Sequence, residues 1–117
     1  MKTGAIYLRD HCLIPRVWNA VSAWDRTRGL LGRPPLKQGE GMLIAHCRLV
    51  HTVGMRYPLD LAFLDRAGRV RKLVSGLRPA RIAGSLAADT TLELPAGALA
   101  NMALNEGDQL VWREIAA

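Results

Sequence analysis

Residues 41–65 read GMLIAHCRLVHTVGMRYPLDLAFLD and hold two of the three histidines, one of the two cysteines and the only phenylalanine of the chain. Within them, residues 42–45 form a short apolar run bounded by Gly41 and His46, the mark of a strand covered on both faces. Leu49, Val50, Thr52 and Val53 favour extended backbone up to Gly54, and Tyr57-Pro58 marks a turn. Residues 59–64, LDLAFL, then make a strand that is apolar at every position but Asp60. A carboxylate among five apolar neighbours must be hydrogen-bonded or paired if it is buried, because an unpartnered charge there costs several kcal/mol.

Working outward, Asp65-Arg66-Ala67-Gly68 is a hairpin turn with glycine where a positive φ is commonly needed, and the chain returns through 70–77. Toward the N-terminus, 3–8 (TGAIYL) is a strand, and a second runs from about 16 to 20, beyond Pro15. Ser22-Ala-Trp-Asp25 begins a helix: the hydroxyl can accept from the amide three residues on, and the carboxylate faces the positive end of the helix. That helix is expected over about 23–31, stopped by Gly32 ahead of Pro34 and Pro35, with Trp24 and Leu31 on one buried side, plugging one end of a sheet. Toward the C-terminus, 83–89 lacks any period and reads as a loop or a single helical turn. Residues 90–94 (TTLEL) form a strand with Glu93 facing away from Leu92 and Leu94. A short helix of about two turns over 98–104 and a last strand over 109–115, carrying Trp112, complete the chain. About seven short strands and two short helices predict a mainly β sandwich or barrel rather than a βαβ sheet.

With 117 residues, half of them apolar, the chain is expected to form one domain over 1–117 that buries roughly two-thirds of its unfolded surface. No apolar run approaches the roughly 20 residues a bilayer requires, so no membrane partner is expected. Arg9 and Asp10 interrupt the N-terminus before a signal-length apolar stretch can develop, and two cysteines are too few to staple a secreted scaffold; both point to the cytoplasm. The net charge of +6 is localised. Residues 66–88 hold six basic side chains (Arg66, Arg69, Arg71, Lys72, Arg78 and Arg81) and no acidic one, which leaves 10 basic against 10 acidic elsewhere. Such a segment attracts phosphate, nucleic acid or an acidic protein. It lacks the interleaved aromatics of a single-strand platform, which argues against nucleic acid.

His46, Cys47 and His51, joined by His11 and Cys12, are residue types that hold zinc. No Cys-x-x-Cys accompanies them, and in one strand His46 and Cys47 would face opposite ways. Four extended residues also hold Cys47 and His51 about 13 Å apart, so a thiol nucleophile activated by His51 requires a fold-back. No metal, cofactor or catalytic residue is therefore assigned. The remaining chemistry is a polar pocket in an apolar wall, with Thr52, Arg56, Asp60 and Glu93 supplying donors and acceptors and Met42, Met55 and Trp24 apolar surface. The expected function is a non-catalytic module that binds a small polar or anionic ligand at Thr52, Met55, Arg56, Asp60 and Glu93. Two alternatives stand behind it: an adaptor docking an acidic protein or nucleic acid through the basic 66–81 hairpin, and a Cys/His metal-dependent or thiol enzyme. Nothing in the pattern specifies an oligomer.

The segments GLLGR (29–33), GEGMLI (39–44), HTVGMRYPLDLAFLD (51–65), LELPAG (92–97) and GDQL (107–110), in this order and at this spacing, resemble the DUF192 family, the domain of unknown function 192. The resemblance spans almost the whole chain. It implies a small, mainly β fold of jelly-roll-like architecture in which the central stretch runs through the core. Many relatives carry a secretion leader, which this sequence is not expected to have. No activity comes with the resemblance.

Overall fold

Short apolar strands need partners on both edges and cover on both faces, since a buried backbone amide left unpaired costs as much as a lost hydrogen bond. The computed structural model, which describes residues 1–115, meets that need mainly with strands. In chain order these are β1 (Lys2–Leu8), β2 (His11–Ala20), β3 (Glu40–Ile44), β4 (Leu49–His51), β5 (Leu59–Leu64), β6 (Val70–Leu77), β7 (Ile82–Gly84), β8 (Thr90–Pro95) and β9 (Leu110–Glu114). One short helix, α1 (Ala23–Arg28), lies between β2 and β3. Seven strands form one mixed sheet in the order β6-β5-β8-β3-β2-β1-β9, and β4 pairs with β7 in a separate two-stranded sheet.

The sheet does not close into a barrel. Its edge strands β6 and β9 meet near a single bridge, Arg69 to Gln109, beside which the Leu110 amide donates to the Gly68 carbonyl at 2.9 Å. Gly68 is required there: its φ is +81°, and a methyl group on its Cα would overlap the Leu110 carbonyl oxygen.

The fold is mainly β as expected, but four details differ. Nine strands are present among the described residues instead of about seven; one of them, 82–84, read as part of a turn and loop, pairs with β4 (Leu49 opposite Gly84, His51 opposite Ile82). A three-residue strand is too short to carry a period. Residues 98–104 form no two-turn helix; only a 3-10 turn at Leu99–Asn101 is present. The first helix ends at Arg28, because Gly29 takes a φ of 51° three residues before Gly32. The early stop leaves Trp24 71% and Leu31 44% exposed, and Leu30 is buried in their place. Finally, β2 and β3 are parallel, so the β2–α1–β3 segment is one βαβ crossover in an otherwise antiparallel sheet.

Alternation along the strands divides the core into two clusters, one on each side of the sheet. Ile6, Ile14, Val17, Leu43, Leu92, Leu94 and Leu110 fill one side. Met42, Ile44, Leu59, Leu61 and Phe63 meet Leu30 from beyond α1 and Val50 of β4 on the other. Strand β5 serves both, with Ala62 and Leu64 on the first and Leu59, Leu61 and Phe63 on the second, so all six of its residues are buried. Each fully buried large side chain there contributes roughly 1.5–3 kcal/mol. Among the described residues no helix is long and apolar enough to cross a membrane.

Candidate functional site

Asp60 owes its place to an irregularity in β6. Leu59 faces Leu77 but Leu61 faces Val74, so β6 covers with three residues the length that β5 covers with two. The Asp60 carboxylate accepts from the Gly76 amide within that slip at 2.8 Å. Its second oxygen accepts at 2.9 Å from the Leu99 amide, which opens the 3-10 turn and has no cap from Ala98. The acidic side chain in the apolar strand is thus held by two main-chain amides from distant segments, a charge-assisted arrangement that makes its burial tolerable.

Thr52 is likewise engaged by backbone. Its hydroxyl donates to the Arg78 carbonyl at 2.7 Å and accepts from the Arg81 amide at 2.9 Å, tying the end of β4 to the turn before β7. Arg56 is exposed and borders a cavity of about 490 Å³ together with Met55 and Tyr57.

Glu93 differs from the others. It sits on β8 opposite Met42 of β3 and Leu61 of β5, pointing away from Leu92 and Leu94 into the cluster beneath α1 and β4. It is 5% exposed, yet its Oε2 has no hydrogen-bond partner within the protein, and no ion pair reaches it among the described residues. Burial pushes its carboxyl up to about 7 from an ordinary 4.5. Glu93 borders a cavity of about 100 Å³ whose other walls include Arg26, Gly29, Ile44, Leu59 and Met55. Gly29 brings the main chain over the carboxylate: a Cβ there would lie 3.9 Å from Glu93 Oε1, in a backbone conformation side chains rarely adopt. The loop that follows is fixed by its own arginines. Arg28 donates to the Leu31 carbonyl at 3.1 Å, and Arg33 donates to the Gly29 carbonyl at 2.8 Å. Tyr57, in the adjoining cavity, has a shielded hydroxyl without a partner, and its pKa is raised by burial and secondarily by the Glu93 charge.

Cys47 and His51 both border the Glu93 cavity, but the chain from Leu49 to His51 is extended strand, and the Cys47 thiol donates to the Leu49 carbonyl at 3.2 Å. His46 lies in a turn with φ of 52° and approaches Asp89 at 3.5 Å. His11 and Cys12 open β2 opposite Leu8 and Tyr7 and do not border that cavity. Among the described residues no three His, Cys, Asp or Glu side chains cluster as a metal site would require.

Of the five expected residues, then, Met55 and Glu93 share one cavity, Met55 and Arg56 share its neighbour, and Thr52 and Asp60 are held by main chain. Arg26, Gly29 and Tyr57 were not expected at the site. Arg26 and Gly29 lay within the predicted helix and Tyr57 within a turn, with only the two glycines of GLLGR as a local signal.

A small, mainly β fold with a cavity between α1, β4 and the main sheet is the class that fold and site define. The chain belongs to the DUF192 family, described as Uncharacterized ACR, whose model matches residues 8–112. Among solved structures it is similar to a candidate transcription regulator from Sinorhizobium meliloti 1021, with 24% identity, a TM-score of 0.78, and coverage of 95% of this chain and 92% of that one. It is also similar to a protein of unknown function from Novosphingobium aromaticivorans DSM 12444, with 19% identity, a TM-score of 0.75, and coverage of 94% and 84%. At these identities the likeness establishes the fold alone. No curated protein matches the chain.

Proposed function

We propose that the domain is a non-catalytic module that binds a small polar ligand in the pocket between α1, β4 and the main sheet, with Glu93 as the recognition group. The observation that carries this reading is the Glu93 carboxyl, 5% exposed and with an oxygen no protein group satisfies. Buried polar groups are satisfied in almost every case, and one that is not calls for an explanation. A carboxylate at the base of a cavity selects a ligand that offers a hydrogen-bond donor, and the arginines above it leave room for an anionic group as well. Met55 supplies apolar wall, and Arg56 borders the adjoining cavity.

The basic segment supports the adaptor alternative less well. Arg71 is paired with Asp65 at 3.5 Å, Arg66 approaches Asp89 at 3.7 Å, and Lys72 donates to the Gly84 carbonyl at 2.8 Å, so part of the surface is already answered within the chain. We assign it no nucleic-acid partner. Two free thiols accord with a reducing, cytoplasmic setting.

Thermal unfolding of the wild-type and Glu93→Gln proteins in a panel of small amines, amides, alcohols and amino acids at millimolar concentration tests the pocket. A donor-bearing compound is expected to raise the wild-type Tm by a few degrees through preferential binding to the folded state, with most of the rise lost in Glu93→Gln. A wild-type Tm unmoved across the panel overturns the reading.

A further inference from the structure

Among the described residues three buried side-chain atoms lack a hydrogen-bond partner: Arg26 Nε, Tyr57 Oη and Glu93 Oε2. Their positions are correlated. Arg26 and Glu93 line the same cavity, and Tyr57 borders the adjoining one, close enough to feel the Glu93 charge. Unsatisfied groups left by imperfect packing would be scattered over the molecule, whereas these surround one place.

Opposite charges on one cavity ordinarily close on each other, since each relieves the other's desolvation. Arg26 and Glu93 do not: no ion pair within 4.0 Å joins them. The cavity has a second arginine, Arg28, but its guanidinium donates to the Leu31 and Gly32 carbonyls; what remains is one cation, Arg26, and one acid, Glu93, each left without a counter-charge. A lone amine would answer Glu93 and leave Arg26 bare, and a lone carboxylate would do the reverse. A ligand carrying both groups satisfies both walls.

Resting on the pocket reading above, we infer that the ligand is a small zwitterion of the α-amino acid class, its ammonium group donating to Glu93 and its carboxylate accepting from Arg26. The body between the two groups is short and aliphatic. The cavity measures about 100 Å³, well under the roughly 300–1,000 Å³ of sites for drug-sized ligands, and its middle is walled by Leu30, Ile44, Met55 and Leu59. An ammonium group beside Glu93 also draws its carboxyl back to the ionised form, because an opposite charge favours the charged state.

Calorimetric titration at pH 7 with alanine and with its two halves, ethylamine and propionate, separates this inference from the pocket reading. Alanine is expected to bind at least about tenfold more tightly than either half, a difference of about 1.4 kcal/mol. Arg26→Met should bring alanine down to the level of ethylamine, Arg26→Lys should keep part of the advantage, and Glu93→Gln should abolish it. Arg26 belongs to neither core cluster, so its variants leave the core intact. Ethylamine binding as tightly as alanine overturns the zwitterion while the donor-binding pocket stands. Failure of all three compounds, with some other compound of the panel binding, has the same consequence. Failure of the entire panel overturns both.

Discussion

Glu93 sets the balance between stability and use at the level of a single residue. Its carboxyl titrates at about 7 when folded against 4.5 ordinarily, so over that interval the folded chain holds a proton that the unfolded chain has released. Stability then falls as pH rises from about 4.5 to about 7, and the loss is complete above the folded value; two and a half units correspond to about 3 kcal/mol. Urea unfolding of the wild-type protein should show this decline between pH 5 and 8, and Glu93→Gln should remove it and be the more stable protein at pH 8. Equal pH profiles for the two would mean that the carboxyl is not desolvated as described. Asp65 acts in the opposite sense and outside this window: amide hydrogen bonds from Arg69 and Ala67 hold its carboxyl below the ordinary range, so its contribution is lost only in strong acid. Glu93 was legible as the polar residue of an alternating strand, but its isolation was not. A missing partner depends on how α1 and β4 come down over the sheet, which no local pattern encodes.

At the level of the elements, Asp60 joins three of them: β5 through its backbone, β6 through the Gly76 amide and the 3-10 turn through the Leu99 amide. Asp60→Ala leaves two main-chain donors without their acceptor at a part-buried site and should cost about 1–3 kcal/mol in urea unfolding. Amide exchange should quicken at Gly76 and Leu99 ahead of the rest of β5; uniform exchange would refute the local role. The anomaly of an acid within LDLAFL was readable from composition alone. Its cause was not, because a register slip in β6 depends on which strand lies opposite. The same holds for β7, too short for a periodic signal and formed only because β4 lies beside it. Helix α1 shows the reverse error: its start at Ser22 followed from capping chemistry, with the Asp25 amide donating to the hydroxyl at 3.1 Å. Its end was misplaced because two glycines, Gly29 and Gly32, offered the same signal and the nearer one was used.

For the whole molecule, the join between β6 and β9 decides whether the sheet behaves as one unit. Gly68→Ala forces a side chain against the Leu110 carbonyl at φ +81° and should cost about 1–3 kcal/mol. Exchange should accelerate along Leu110–Glu114 while the amides of β5 and β8 stay protected. Global loosening of all strands together would contradict this division. The β class and the burial of residues 41–44 and 59–64 were legible because strand period and turn chemistry are local; the parallel β2–β3 pair, the open seam and the exposure of much of residues 45–58, expected to run through the core, were not, because all three depend on contacts between distant segments. The pairing of β1 with β9, Gly4 opposite Glu114 and Leu8 opposite Leu110, has a consequence for synthesis on the ribosome. The β1–β2 hairpin can form in about 1–10 μs once it emerges, but β9 is translated roughly 5–20 s later. During that wait the outer edge of β1 is an unpaired template on a nascent chain. The register breaks between Gly4 and Ile6 and between Ile6 and Tyr7 bend it out of the flat form that another polypeptide could extend.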